Sequence, residues 1–206
     1  MFCAVDGISG DPLASVPIGQ ETSADYRRLA SAMRDAGYPV PLFAAIDGRS
    51  GAENAVRTVW DIPVQTCQAH KIATADRYLL KYPRRESYRV LKRIAHEMAV
   101  TDEATFRWLL DEFRKVFGDD LEMKIPDRKT GRGRYAHPRL RRAYRSLVRD
   151  LDKLFVCHRF LRETGGKEIN TTNRIECVFS HAKPKTGVHR GIGKEKKLSL
   201  ALSFFW

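Results

Sequence analysis

Cysteine is scarce in this chain: Cys3, Cys67, Cys157 and Cys177 are scattered over 206 residues without framework spacing. That excludes a disulfide-stapled scaffold and points to free thiols in a reducing compartment. Long apolar runs are missing too. The longest, Pro41 to Ile46 and Leu198 to Trp206, are too short or too interrupted to span a bilayer. The opening "MFCAVDG" has neither a basic n-region nor a long apolar core, so no secretory signal is read and a cytoplasmic location is expected. No Gly-rich phosphate loop of the Walker or dinucleotide type occurs, and no Ser-His-Asp spacing stands out. Internal repeats and low-complexity tracts are absent.

Negative charge is in short supply as well. Lys and Arg number 37 against 25 Asp and Glu, a net of +12. The imbalance is uneven. Residues 1–66 hold 5 basic and 8 acidic side chains, residues 67–168 hold 25 and 15, and residues 169–206 hold 7 and 2. An acidic first third followed by a basic remainder suits a phosphate-backbone partner.

What is present reads first as a mixed α/β layer. "FCAV", the turn cluster "DGISGDP" and "LASVPI" make a hairpin with a long loop. "SADYRRLASAMRDAGY" is an amphipathic helix, capped by Thr22 or Ser23 and stopped at Gly37. "PVPLFAAID" reads as a strand buried on both faces, "GRSGAENAVRTVW" as a helix and "IPVQTC" as a strand, giving the order β-β-α-β-α-β. From about Ala69 the texture becomes helical with charged outer faces, broken by "KIPDRKTGRGRY", which reads as a loop. The expected division is 1–68, a first α/β part, 69–168, an all-helical insertion, and 169–206, a closing part. The last holds "INTTNRIECVFSHAK", the basic loop "PKTGVHRGIGKEK" and an apolar tail.

Few residues are placed for chemistry. Asp47 ends the run "LFAAID", at the strand edge where α/β sheets place ligands, though an Asp-Gly turn explains it equally well. Glu176 stands three after Asn173, which fits a capping box with Asn173 as the cap. Two carboxylates from distant segments are also what a divalent ion beside a phosphate needs. Cys67 and His70 form a C-x2-H pair. With no second pair at finger spacing, a buried thiol bonded to an imidazole is preferred over zinc. Arg139, Arg142, Arg145 and Arg149 lie along successive turns of one helix. The Gly-containing loop with His189 and Arg190 can approach a backbone closely.

"AAIDGRSG", "WDIPVQTCQAH" and "NTTNRIECVFSHAKPKTGVHRG", in that order and spacing, resemble the catalytic core of Mutator-like insertion-sequence transposases. The resemblance spans nearly the whole chain. It implies an RNase H-like mixed sheet with a large all-α insertion domain. It further implies an Asp-Asp-Glu site for two Mg²⁺ or Mn²⁺ ions, with Asp47 as second acid and Glu176 as third. Implied partners are double-stranded DNA, as terminal inverted repeats and target, and a second copy in a homodimer, at the nucleoid. Arg139, Arg142, Arg145, His189 and Arg190 would contact DNA; Cys67, His70 and Asn173 would support the site. Such a fold has three antiparallel strands before its first helix, and here two precede it. Asp6 sits with Gly7 at the hairpin turn and reads as a turn residue. The chain is therefore expected to be an amino-terminally truncated copy without the first acid. Its rivals are a non-catalytic DNA-binding remnant, another RNase H-like nuclease, and a zinc module on Cys67 and His70.

Overall fold

The computed structural model describes residues 2–16, 22–127 and 131–173. Strands β1 (Phe2–Val5) and β2 (Pro12–Val16) pair antiparallel. The connecting turn is organised by Asp6, whose Oδ1 accepts from the amides of Ile8 (2.8 Å) and Ser9 (2.7 Å). Asp6 is thus a turn residue, as its Asp-Gly setting implied. Helix α1 (Ser23–Asp35) starts at Thr22 with a full capping box to Asp25, and buries Leu29, Ala30 and Met33. Gly37 takes φ +81° just past its end, a conformation that costs glycine little.

Strand β3 (Ala44–Ile46) runs parallel to β4 (Val64–Thr66), with α2 (Ser50–Trp60) as the crossover. The expected β-β-α-β-α-β order is therefore present, as a mixed α/β arrangement. Two details differ. The strands form two separate two-stranded sheets among the described residues, β1–β2 and β3–β4. The run around β3 is also less covered than its composition suggested: Ala44, Ala45 and Ile46 are half-buried and Leu42 is exposed, whereas all of β4 is buried. Apolar composition reports a preference for burial, and β4 meets it by packing against α2 and the 3-10 turns near Leu151 and Val156.

The helical part comprises α3 (Gln68–Leu79), α4 (Glu86–Glu97), α5 (Glu103–Glu122) and α6 (Pro138–Arg149), then 3-10 turns at Leu151–Lys153 and Val156–Phe160. Each helix buries a stripe at three- and four-residue spacing, as α6 does with Leu140, Ala143, Tyr144 and Leu147. These stripes meet in one core that includes Leu79, Leu91, Phe106, Leu110, Phe113, Leu147 and Phe155, with Phe106 and Phe155 rings 5.6 Å apart. Full burial of one such ring is worth about 1.5–3 kcal/mol. The segment expected to be a loop departs from expectation. Lys124–Pro126 (β5) and Gly133–Tyr135 (β6) pair antiparallel, so the helical part carries a short β-ribbon.

The α/β and helical parts are joined by buried polar groups. The Gln65 amide nitrogen donates to the carbonyls of Leu154 (2.6 Å) and Thr66 (2.9 Å), and its Oε1 accepts from the Cys157 amide (3.0 Å). Gln68 Nε2 donates to the same Leu154 carbonyl at 2.8 Å. On the rim, Lys153 Nζ donates to both Glu53 oxygens, at 2.8 and 3.0 Å, and Phe43 stacks on Phe160 at 5.3 Å. No helix of the described residues is long and apolar enough to cross a membrane.

Candidate nucleic-acid interface

The C-terminal end of β3 delivers Asp47 to a groove of about 740 Å³ between the β3–β4 edge, α3 and α6. Parallel pairing of β3 with β4 dictates this placement. The ends of both strands open on the same side, where α3 begins. Asp47 Oδ1 accepts from the Arg49 amide (3.2 Å) and Oδ2 from Arg49 Nε (3.0 Å), so the carboxylate is turned by its own loop. Its side chain retains 32% exposure.

The opposite wall is cationic. Arg142, Arg145 and Arg149 of α6, Arg114 of α5 and Lys71 of α3 line the groove with Asp47, Asp150 and His70. Five cations face two carboxylates. The α6 side is cationic because the helix buries Leu140, Ala143 and Leu147 on one face, leaving positions 142, 145 and 149 to project from another. Two of the cations are already paired. Lys71 Nζ is ion-paired with Asp150 and lies 3.4 Å from both Ser146 oxygens, and Arg149 Nε lies 3.2 Å from Asp150. Burial works to raise the Asp150 carboxyl, but hydrogen bonds from Lys71 and Arg149 overcome it and hold it below the ordinary carboxylate range. Burial pushes the Tyr144 phenol up, against the lowering pull of Arg114. Arg142 and Arg145 are exposed and make no ion pair among the described residues. Their charge is available to an anion.

The structure thus brings Asp47, Arg142 and Arg145 to one groove. Arg139 belongs elsewhere: its Nη2 donates to the Arg77 carbonyl at 2.9 Å, and it is not among the groove's lining residues. One arginine per turn does not keep a constant bearing at 3.6 residues per turn, and Arg139, near the start of α6, lies beside the end of α3.

Cys67 is fully buried at the β4–α3 junction, and His70 Nδ1 lies 3.3 Å from its Sγ. The Thr172 amide and hydroxyl approach the same sulfur at 3.3 and 3.4 Å, and Gln68 N donates to the Asn170 carbonyl at 2.9 Å. The pair therefore clasps the segment that leads towards Glu176. This is the thiol–imidazole contact expected from the C-x2-H spacing. Among the described residues no group of three or more His, Cys, Asp or Glu is placed to hold a metal.

Asn173 is exposed and is the last described residue. Glu176, His189 and Arg190, with Cys177, lie outside the described residues, as does the capping box expected between Asn173 and Glu176. For Mg²⁺ or Mn²⁺ the described donors do not suffice: of the groove's two carboxylates Asp47 is bonded to Arg49, and Asp150 to Lys71 and Arg149. The residues that sequence reasoning missed are Gln65, Gln68 and Lys71. The available signal was that α3's buried stripe, Gln68, Lys71, Ala75 and Leu79, opens with two polar side chains. Comparison of the chain with protein-family models, with curated proteins and with solved structures finds no match.

Proposed function

We propose that this chain is a DNA-binding protein of the transposase type, taking the backbone of duplex DNA into the groove between Asp47 and α6. The observation that carries this is convergence. Asp47 stands out in the sequence as an acid at a strand end and Arg142 and Arg145 as cations at helical spacing, and the three share one groove. Two exposed guanidiniums without ion-pair partners among the described residues are suited to phosphate oxygens, to which Arg donates bidentately. A carboxylate in such a groove opposes phosphate, so a purely electrostatic DNA surface has no use for Asp47.

In this reading the α/β part belongs to an RNase H-like core into which the helical part is inserted. DNA strand cleavage and transfer at element ends, by paired copies, would be its activity. Divalent-metal chemistry at Asp47 depends on Glu176, because the described donors do not complete a site. DNA binding is accordingly the part of the function that the groove itself supports.

The test is fluorescence anisotropy with a labelled duplex over a range of salt. Arg142→Glu with Arg145→Glu is expected to weaken binding by at least about tenfold. It should also reduce the log–log salt slope by about 2, since each phosphate no longer neutralised takes away about 0.9. Asp47→Asn without metal is expected to tighten binding. Unchanged affinity and slope in the double variant would remove the groove as the DNA site.

A further inference from the structure

The β5–β6 ribbon has no part in the groove, and its construction calls for an explanation. All of β5 is exposed, as are Gly133 and Arg134 of β6, with Ile125 at 38%. A two-stranded ribbon that the described residues leave uncovered except at Tyr135 gains little from folding, because an isolated hairpin is marginal in water. Its root is nevertheless well fixed. The Ala136 amide donates to the Met123 carbonyl (2.8 Å), and Tyr135 lies under the Arg141 guanidinium at 4.0 Å and near Lys124 Nζ at 5.4 Å. At the outer end the Asp127 amide donates to the Arg132 carbonyl at 2.8 Å, so the pairing continues one step beyond the strands. The described ribbon carries Lys124, Arg132 and Arg134 against one acid, Asp127, which stands 3.7 Å from Arg134 Nε.

We infer that this ribbon is a second DNA contact, an arm that lies in the major groove of a B-form duplex. The inference rests on the DNA-binding reading and deepens it. Two strands about 5 Å apart with their side chains match a major groove about 12 Å wide, which admits a two-stranded β-ribbon. The deep, narrow major groove of A-form RNA does not. Arg132 and Arg134 are two residues apart in an extended segment, so they belong to one face of the ribbon. Lys124, paired in register with Tyr135, belongs to the other. The arginine face can turn to base edges while Lys124 meets a phosphate on the groove wall. Glycine at 133 keeps the ribbon thin behind the arginines; among the described residues only the Lys124 side chain lies within 4 Å of a Cβ built there.

The experiment uses the full chain as wild type, as a ribbon variant (Lys124→Ala, Arg132→Ala, Arg134→Ala) and as the groove variant (Arg142→Glu, Arg145→Glu). Probes are a DNA duplex of about two helical turns and an RNA duplex of the same sequence, with methylation protection at guanine N7 as the groove readout. Wild type is expected to favour DNA over RNA and to protect N7 positions. The ribbon variant should bind DNA on the order of 10-fold to 100-fold more weakly, lose the preference over RNA, and lose N7 protection. Its melting temperature should match wild type, since none of the three side chains belongs to the core. Wild-type-like DNA affinity or intact N7 protection in the ribbon variant overturns the arm and leaves the groove reading standing. Weakened binding in the ribbon variant with none in the groove variant overturns the groove and keeps the arm. Absence of duplex binding by wild type overturns both.

Discussion

Gln65 and Gln68 point at the same carbonyl, that of Leu154, yet removing them should have different consequences. Gln65→Ala deletes one buried methylene, worth about 0.8 kcal/mol, along with the amide. It also leaves the Cys157 amide, which donates to Gln65 Oε1 at 3.0 Å, without its acceptor. A buried donor so orphaned costs about 1–3 kcal/mol. The Leu154 carbonyl is not orphaned, because Gln68 Nε2 still donates to it at 2.8 Å. The total is about 2–4 kcal/mol. Gln68→Ala likewise deletes one buried methylene, about 0.8 kcal/mol, and loses one hydrogen bond, but it leaves Leu154 satisfied by Gln65 and offsets the loss by removing an Oε1 that is buried without a partner among the described residues. Its cost should be about 1 kcal/mol. Urea and thermal unfolding monitored by circular dichroism measure both. For a chain of this size Gln65→Ala should lower Tm by about 6–12 °C and Gln68→Ala by about half as much or less. Equal costs, or less than about 1 kcal/mol for Gln65→Ala, would refute the view that this amide holds the α/β and helical parts together.

Other consequences are equally direct. The hydrogen-bonded Arg85 guanidinium, with help from Ser87, holds the Asp120 carboxyl down to about 2. A depressed carboxyl stabilises the fold above its unfolded value of about 3.9 and loses that contribution as pH falls through about 2. Asp120→Asn should thus cost about 1 kcal/mol at neutral pH, discounted for solvent screening of a rim pair, with the gap to wild type closing in acid melts between about pH 4 and pH 2. A gap that persists at the acid end would deny the ion pair its role. Thr22→Ala removes the side-chain half of the capping box on α1 and should cost about 1 kcal/mol in chemical denaturation; no loss would mean that packing of Leu29 and Met33 alone sets this helix.

The order of elements in the α/β part was legible because it depends on local patterns. Alternation, helical stripes and turn residues are encoded within a dozen neighbouring positions, and so was the turn role of Asp6. Asp47 was legible for the same reason: an acid ending an apolar run lands at a strand edge whatever surrounds it. The ribbon of Lys124–Pro126 and Gly133–Tyr135 was not legible. Its Gly, Arg and Pro content is that of a loop, and its pairing rests on backbone bonds that leave no apolar alternation to read.

By itself, then, the sequence determined the mixed α/β character, the helical texture after residue 68 and the arginine ladder of α6, all consequences of short-range periodicity. Only the tertiary structure decided which of those arginines face Asp47, and that Arg139 instead serves the Arg77 carbonyl. It also decided that the strands pair as separate two-stranded sheets, and that Gln65 is fully buried. A polar side chain can be buried only where partners meet it, and two of the three that meet Gln65 come from a turn 89 and 92 residues further along the chain. No local window contains that information.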